Sequence, residues 1–433
     1  MFRPLVATLL DEWIDPETVY LAGFAQRADS FWLDAGPGAT TGWSWVGGGS
    51  VEPDPAAIRA LACAEPPGEQ AESGRFSGGW IGWLGYEDAA ARAGAPTSPV
   101  EPGIPQQLWL RVERHVAFDH ATRRIWAFAP ADEIAAFARD VAASHAEPAE
   151  GEPEPVTVRA RHEPGEYAQL VERCRDAIRE GDAYQLCLTT RFEVDASVDP
   201  LAVYLRLRAR TPAHHGGLIR SGVVALLSAS PELFLEVQDG VVRTHPIKGT
   251  RPRGTDAASD AALAAELVAS VKERAENVMI VDLMRNDLSR VSAPASVAVD
   301  RLFAVESYPA VHQLVSTVSG RLEAGTTVGG LLDAAFPAGS MTGAPKLSAM
   351  TILHELEAAP RGVFAGCFGW VGDDGALDLA MVIRSIVVHA DGAYVGAGGG
   401  ITWRSDASAE VAEVGVKARG PLAALGGELP PGW

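Results

Sequence analysis

The residues of this 433-residue chain best suited to chemistry are two pairs of glutamates, each pair spaced by three positions. Glu273 and Glu276 lie in Lys272-Glu-Arg-Ala-Glu-Asn277, and Glu410 and Glu413 in Ser408-Ala-Glu-Val-Ala-Glu-Val-Gly-Val-Lys417. That spacing puts both members of a pair on one face of a helix. One such pair is ordinarily a solvated surface. Two pairs turned toward one cavity would make an oxygen-only site of the kind Mg²⁺ accepts. Lys248, in His245-Pro-Ile-Lys-Gly-Thr250, sits between Ile and Gly and not on a helical surface. A loop lysine is the plain reading of it. As a nucleophile it would have to shed its proton from an ordinary pKa of about 10.4, which burial or a nearby cation favours. Glu232, in Ser230-Pro-Glu-Leu-Phe234, is either a solvated strand end or, if desolvated, a carboxyl that keeps its proton and acts as a general acid. Gly398-Gly-Gly400 is a bend or a nest of backbone N–H groups for a carboxylate. Arg384 interrupts the apolar run Met381-Val-Ile-Arg-Ser-Ile386, as an inward ion pair or a two-pronged carboxylate clamp. Together these residues describe a metal-assisted enzyme for a small polycarboxylate.

The elements that must carry them follow from periodicity. Tyr167, Leu170, Val171, Cys174 and Ile178 recur at helical spacing until Gly181-Asp182 stops the helix, and residues 185–194 then read as a strand. Strands are predicted at 223–228 and 233–237, and a turn near Gln238-Asp-Gly240 would bring Lys248 back beside Glu232. One long Ala-rich helix is predicted from about Ala257 toward Met284, carrying the first glutamate pair. Strands at 363–371, 380–389 and 393–402 precede a last helix at about 407–418, which carries the second. Strands and helices mixed without strict alternation indicate an α+β fold. The glycine-rich runs are not nucleotide loops. Gly339-Ser-Met-Thr-Gly-Ala-Pro-Lys346 lacks the Gly-Lys-Ser/Thr ending of a phosphate loop, and Gly396–Ile401 has Ile where a dinucleotide fingerprint needs its third Gly.

Composition narrows the partners. With 36 basic and 56 acidic residues the net charge is −20, which disfavours nucleic acid and anionic membrane. Cys63, Cys174, Cys187 and Cys367 form no metal or disulfide pattern, so a reducing cytoplasm is expected. The N-terminal apolar run meets Asp11 and Glu12 too early for a signal peptide, and no run approaches the ~20 residues of a membrane helix. The Pro/Glu-rich stretch 146–155 reads as a linker between an N-terminal part, 1–145, and a longer catalytic part, 156–433.

These motifs resemble, in order, those of the chorismate-binding enzyme family, which includes anthranilate, isochorismate, salicylate and aminodeoxychorismate synthases. The resemblance rests on Ser230-Pro-Glu232, Pro246–Thr250, Glu276–Asp287, Gly339–Lys346, Ile383-Arg384, Gly398–Gly400 and Glu410–Glu413 with Lys417, and on Gly78–Tyr86 in the N-terminal part. It implies two packed β-sheets with helices outside and the substrate between. It also implies Mg²⁺ held directly by Glu276 and Glu413 and through water by Glu273 and Glu410. Substrate contacts would come from Gln185, Thr250, His312, Arg384, Gly398, Gly399, Gly400 and Lys417. Trp370 stands where aminating relatives often have Tyr. Lys248 in place of the Ala usual in anthranilate synthases marks the branch that aminates chorismate at C4 on the 4-aminobenzoate and folate route. Gln185 in place of a Lys speaks against water as nucleophile. In that branch the lysine bonds to the ring and Glu232 protonates the leaving hydroxyl. Ammonia would come from a separate glutamine amidotransferase subunit, no segment here offering its nucleophilic Cys. The alternative within the family is an anthranilate synthase component I or another amino-chorismate synthase of secondary metabolism.

Overall fold

Alternating large apolar residues divide the molecule into layers. In a computed structural model, which describes residues 3–63, 72–146, 151–308 and 311–433, Phe31, Leu33, Ile219, Leu226 and Val387 face one core cluster. Their strand neighbours Trp32, Leu218, Leu227, Ile386 and Val388 face another. This is the two-residue period of strands buried on both sides.

The first layer runs through the strands Gln185–Val194, Gly392–Ile401, Ser385–His389, Val224–Ser230, His215–Ser221, Asp29–Asp34, Trp43–Val51 and Gln107–Asp119, each antiparallel to the next. The second continues from Gln107–Asp119 through Gly79–Leu84, Cys367–Gly372, Leu377–Met381, Leu233–Gln238 and Val241–Thr244 to Val311–Arg321, which also carries Ile247–Pro252 and Ala298–Ser307. The α+β class is as expected, but the two layers are not separate sheets. All twenty strands of the described residues belong to one hydrogen-bonded network. The fold-over lies at Gln107–Asp119, which pairs with Gly79–Leu84 along its first half and with Arg124–Pro130 along its second. Opposite Gly48 and Gly49 the strand Gln107–Asp119 bulges at Glu113, which helps it turn. A Cβ at Gly49 would lie 2.1 Å from the Arg111 carbonyl oxygen, so only glycine passes there.

Strands from before residue 145 thus pair directly with strands from after 156, Asp29–Asp34 with His215–Ser221 and Gly79–Leu84 with Cys367–Gly372. Of the Pro/Glu-rich stretch, 147–150 lie outside the described residues. Helices Pro164–Glu180, Pro200–Arg210 and Ala407–Leu425 cover the outer face of the first layer. Among the described residues no helix is long and apolar enough to cross a membrane.

Two departures from the sequence reading shape the site. The single helix expected from Ala257 onward is two, Ala257–Ala269 and Val271–Ser289. Ser270 ends the first in an extended conformation and caps the second, accepting the Glu273 N–H through its hydroxyl. Neither Gly nor Pro marks the break. The strand expected at 380–389 is also two, because Arg384 adopts a left-handed φ of 51° and carries the chain from Leu377–Met381 in one layer to Ser385–His389 in the other. Ser230-Pro-Glu232 makes the neighbouring crossing, from Val224–Ser230 to Leu233–Gln238. The crossings are bonded together, the Met381 N–H to the Glu232 carbonyl at 3.0 Å and the Ala229 N–H to the Arg384 carbonyl at 3.2 Å.

One core residue ties stability to pH. His115 is fully buried and stacked on Phe128, with ring centroids 4.3 Å apart. Burial pushes its pKa down to about 3. A depressed histidine pKa contributes stability that is complete above the unfolded value near 6.5 and is lost as pH falls from there toward about 3. Between pH 7 and pH 5 this one group should cost on the order of 2 kcal/mol. In urea melts the stability of the parent relative to His115→Phe should therefore fall by about that amount from pH 7 to pH 5. A parallel fall in both would rule the contribution out.

Candidate active site

The turn Asp239-Gly240, with φ of 55° and 69°, closes the hairpin Leu233–Gln238/Val241–Thr244 and returns the chain past Glu232. Lys248 follows in Ile247–Pro252, where the register with Val311–Arg321 slips between Ile247 and Thr250. Gly249, at the slip, takes φ 91°, and a Cβ there would lie 3.0 Å from the Glu273 carboxyl. The Lys248 amine makes no hydrogen bond or close ion pair with any described residue.

It meets Gln185 across a glycine. A Cβ at Gly400 would lie 2.6 Å from Gln185 Nε2 and 3.8 Å from Lys248 Nζ. Gln185 is fully buried, and neither its Oε1 nor its Nε2 has a hydrogen-bond partner. A buried amide left unpaired costs about 1–3 kcal/mol, which makes this one a candidate ligand contact. Gly400→Ala should force the amide and amine aside. We expect kcat/KM to fall about tenfold or more with little change in melting temperature, since misplacing reacting groups by a fraction of an ångström is costly. Unchanged kinetics would separate Gly400 from the site.

Glu232 is buried at its crossing and accepts a hydrogen bond from the Ser340 hydroxyl. Burial pushes its pKa up, opposed by Lys248, Ser340 and Lys417, and the net direction is up. It is a carboxyl that holds its proton longer than a surface glutamate.

The four helical glutamates lie within electrostatic reach of one another, and Lys272 feels all four. Burial lifts Glu276 to about 7, against Lys248 and Lys272 and with help from Glu273 and Glu410. Its Oε1 is buried without a hydrogen-bond partner, and Lys272 Nζ is 3.9 Å away. Glu410 is raised by burial against the Ser405 hydroxyl, with repulsion from Glu413 added. For Glu413 burial also opposes ionisation, but Lys417 at 2.7 Å outweighs it and holds the carboxylate below its ordinary value. Arg251 lies 3.5 Å from Glu273. Among the described residues no three acidic, His or Cys side chains already stand at enclosing distance of one point. In kind, however, the donors fit a hard divalent cation: oxygens only, mutually repelling, one of them orphaned.

Lys417 Nζ also donates to the Gly398 carbonyl at 2.8 Å. That carbonyl therefore faces away from the neighbouring strand Gln185–Val194. By the two-residue period the polar groups of Gly400 face the same way, beyond the reach of Ser385–His389, whose pairing covers only 392–395. The glycines are thus a strand edge, inside the strand expected at 393–402, and neither a bend nor a loop nest. Gly399 lies under the Glu410 carboxylate, whose Oε2 is 2.9 Å from where a Cβ would sit. Arg384 is largely buried, has no hydrogen-bond partner among the described residues, and feels Glu413 as its one acidic neighbour.

A sequence profile described as chorismate binding enzyme matches residues 50–423. The chain belongs to the chorismate-binding enzyme family. It is 41% identical over 387 residues to an aminodeoxychorismate synthase of Streptomyces pristinaespiralis, covering 85% of this chain and 53% of that protein. It is 37% identical to anthranilate synthase component 1 of Streptomyces coelicolor over 98% of this chain and 88% of that protein. The chain spans about half the length of the aminodeoxychorismate synthases from Streptomyces that it matches, 53% of one and 49% of the other. Anthranilate synthase component I from Streptococcus pneumoniae has the same fold, with a TM-score of 0.75 and 29% identity over 97% of this chain and 92% of that one. The menaquinone-specific isochorismate synthase of Escherichia coli shares the fold at a TM-score of 0.74 and 18% identity, covering 98% of this chain and 95% of that one.

Within this member of the chorismate-binding family, two expected contacts lie elsewhere. His312 turns to the helix side of its strand, its Nε2 bonded to Asp260 at 2.9 Å and its Nδ1 to Ser307 at 2.8 Å. Its neighbour Gln313 shares a face with Thr250, its cross-strand partner, and its Oε1 is buried and unpartnered. Thr250 itself is exposed. Trp370 packs against Phe76 at 5.3 Å and Trp45 at 6.2 Å and lines a separate cavity of about 350 Å³ with Asp34 and His214. Strand alternation explains both, since a shift of one residue reverses the face. Lys346 of the Gly339–Lys346 motif is structural, bonded to the buried Asp287 at 2.7 Å. Ser340 and Lys272 were not singled out by sequence reasoning. Ser340 stood inside a quoted motif, and Lys272 lies one helical turn before Glu276, which was signal enough.

Proposed function

We propose that the chain aminates chorismate at C4 to give 4-amino-4-deoxychorismate, through a covalent adduct on Lys248. The observation that carries this reading is the unpaired Lys248 amine meeting the Gln185 amide across Gly400, with Glu232 within electrostatic reach. The amine would attack C2 of the ring. The ring double bonds would shift, and the C4 hydroxyl would leave as water with the proton of Glu232. Ammonia would then bond to C4, the bonds would shift back, and the lysine amine would depart from C2. Gln185, an amide, cannot serve as the base that would activate water in Lys248's place.

Arg384, Lys417 and the outward N–H groups of Gly398 and Gly400 supply the donors a dicarboxylate needs. Glu276 and Glu413 would hold Mg²⁺ directly, backed by Glu273 and Glu410. Bound there, the ion would neutralise and orient the ring carboxylate. Ammonia would come from free solution or from a glutamine amidotransferase subunit, and the chemistry is that of a cytoplasmic enzyme on the way to 4-aminobenzoate.

The competing reading is amination at C2 to anthranilate, favoured by the near-complete overlap with an anthranilate synthase component 1. Incubation with chorismate, an ammonium salt and Mg²⁺ distinguishes them. A product that a lyase converts to 4-aminobenzoate, with turnover lost in chelator and restored by Mg²⁺, supports C4 amination. Fluorescent anthranilate as the main product overturns it.

A further inference from the structure

The strand Gln185–Val194 has two edges. One is paired with Gly392–Ile401, with Thr189 opposite Gly398 and Cys187 opposite Gly400. Along the other edge the short strand Gly343–Ala344 pairs only with Gln185 and Leu186, and Thr342 accepts the Cys187 N–H at 2.8 Å. From there until Arg159–Ala160 takes up Phe192 and Glu193, the outward backbone groups have no strand to meet. A buried ion pair takes its place. Glu357 Oε1 accepts the Thr189 N–H and the Thr189 hydroxyl, each at 2.9 Å. Arg361 donates to the Cys187 carbonyl at 2.8 Å and to the Met341 carbonyl at 2.6 Å, while gripping Glu357 at 2.7 and 2.9 Å.

Both side chains are nearly inaccessible to solvent. Their own loop is fixed from outside. Glu87 accepts the N–H groups of Arg361 and Gly362 at 2.6 and 2.9 Å, and the Tyr394 hydroxyl accepts that of Val363 at 3.0 Å.

We propose that Glu357 and Arg361 are positioning residues for the reaction, acting through the backbone of Gln185–Val194 and of the Gly339–Met341 turn. The residues they hold are informative. Cys187 and Thr189 stand across from Gly400 and Gly398, the two glycines whose polar groups face the ligand side. Met341 adjoins Ser340, which bonds the Glu232 carboxyl. The pair therefore closes one edge of a two-strand ribbon so that its opposite edge can hold an anion. By the same contacts it sets the turn that presents Ser340 to Glu232. A surface ion pair could do neither, because water would compete for the same carbonyl and N–H groups. Arginine is required for the fork that reaches two carbonyls and a carboxylate at once; lysine keeps the charge but not the geometry.

This inference rests on the reading of Gly398–Gly400 as a carboxylate site and of Glu232 as the acid. The test uses Thr189→Val, which removes one hydroxyl contact without changing shape, beside Arg361→Lys, each measured for kcat, KM for chorismate and the pH profile after a thermal melt. We expect Arg361→Lys to raise KM about tenfold or more and to move the alkaline limb of the pH profile, with Thr189→Val showing the same pattern more weakly. Folded variants of parental KM and profile would make the pair purely structural and overturn the proposal. If Arg361→Lys does not fold, Thr189→Val decides alone. Amide exchange separates this idea from the functional reading. Loss of protection at 187–189 and 398–400 in the variants supports the clamp even if the parent turns over no chorismate, and unchanged protection sinks it.

Discussion

Lys248→Ala is expected to lower C4 amination by roughly 10³-fold or more, on the order of 4 kcal/mol of barrier. The reason is geometric. The amine stands next to the buried Gln185 amide with no hydrogen bond of its own, and a nucleophile tethered there replaces a collision with an intramolecular step. Without it, ammonia reaches the ring unaided, and any residual turnover should shift toward anthranilate. Lys248→Arg should do no better, because a guanidinium does not surrender its proton. Acid quench followed by intact-mass measurement gives an independent readout, with an added ring mass on the parent and none on either variant. A variant that keeps parental rate and product would end the covalent scheme.

Glu232→Gln should cost about 10²–10⁴-fold in kcat, the ordinary worth of a positioned acid. Its pH dependence is the sharper test. Burial raises the Glu232 pKa over the opposition of Lys248, Ser340 and Lys417. The acid is competent while protonated, so the rate should hold below that raised value and fall as pH climbs through it. In Glu232→Gln the residual rate should lack this limb. A limb that persists unchanged in the variant would belong to another group.

The glutamate pairs, Lys248, Glu232, Arg384 and the glycine run were legible because each combines an unusual residue type with a spacing that has a physical meaning. Helical period put Glu273 with Glu276 and Glu410 with Glu413, and both pairs do lie on helices, Val271–Ser289 and Ala407–Leu425. What escaped is what long-range contact decides. Ser270 breaks a helix with neither Gly nor Pro, through a cap that any serine could make. Arg384 reads as an intruder in one strand but is the point where the chain changes layer, which needs a φ that sequence does not announce. His312 and Trp370 failed by facing, since alternation fixes which side a residue takes only once the register is known. Glu357 and Arg361 flank Ala358-Ala-Pro360, which reads as an ordinary helix end and turn. Their burial depends on a strand edge almost 170 residues away in sequence, the Thr189–Glu357 separation being 168.

The folded-over ladder at Gln107–Asp119 has a consequence for inheritance as well as for shape. Because Asp29–Asp34 and Gly79–Leu84 are stitched directly to strands from the far side of residue 156, removing the leading third would not leave a smaller working enzyme. It would bare the flanks of His215–Ser221 and Cys367–Gly372, open strand edges ready to pair with their own kind. Recombination can append modules to such a polypeptide at its ends, but it has no seam to cut along inside.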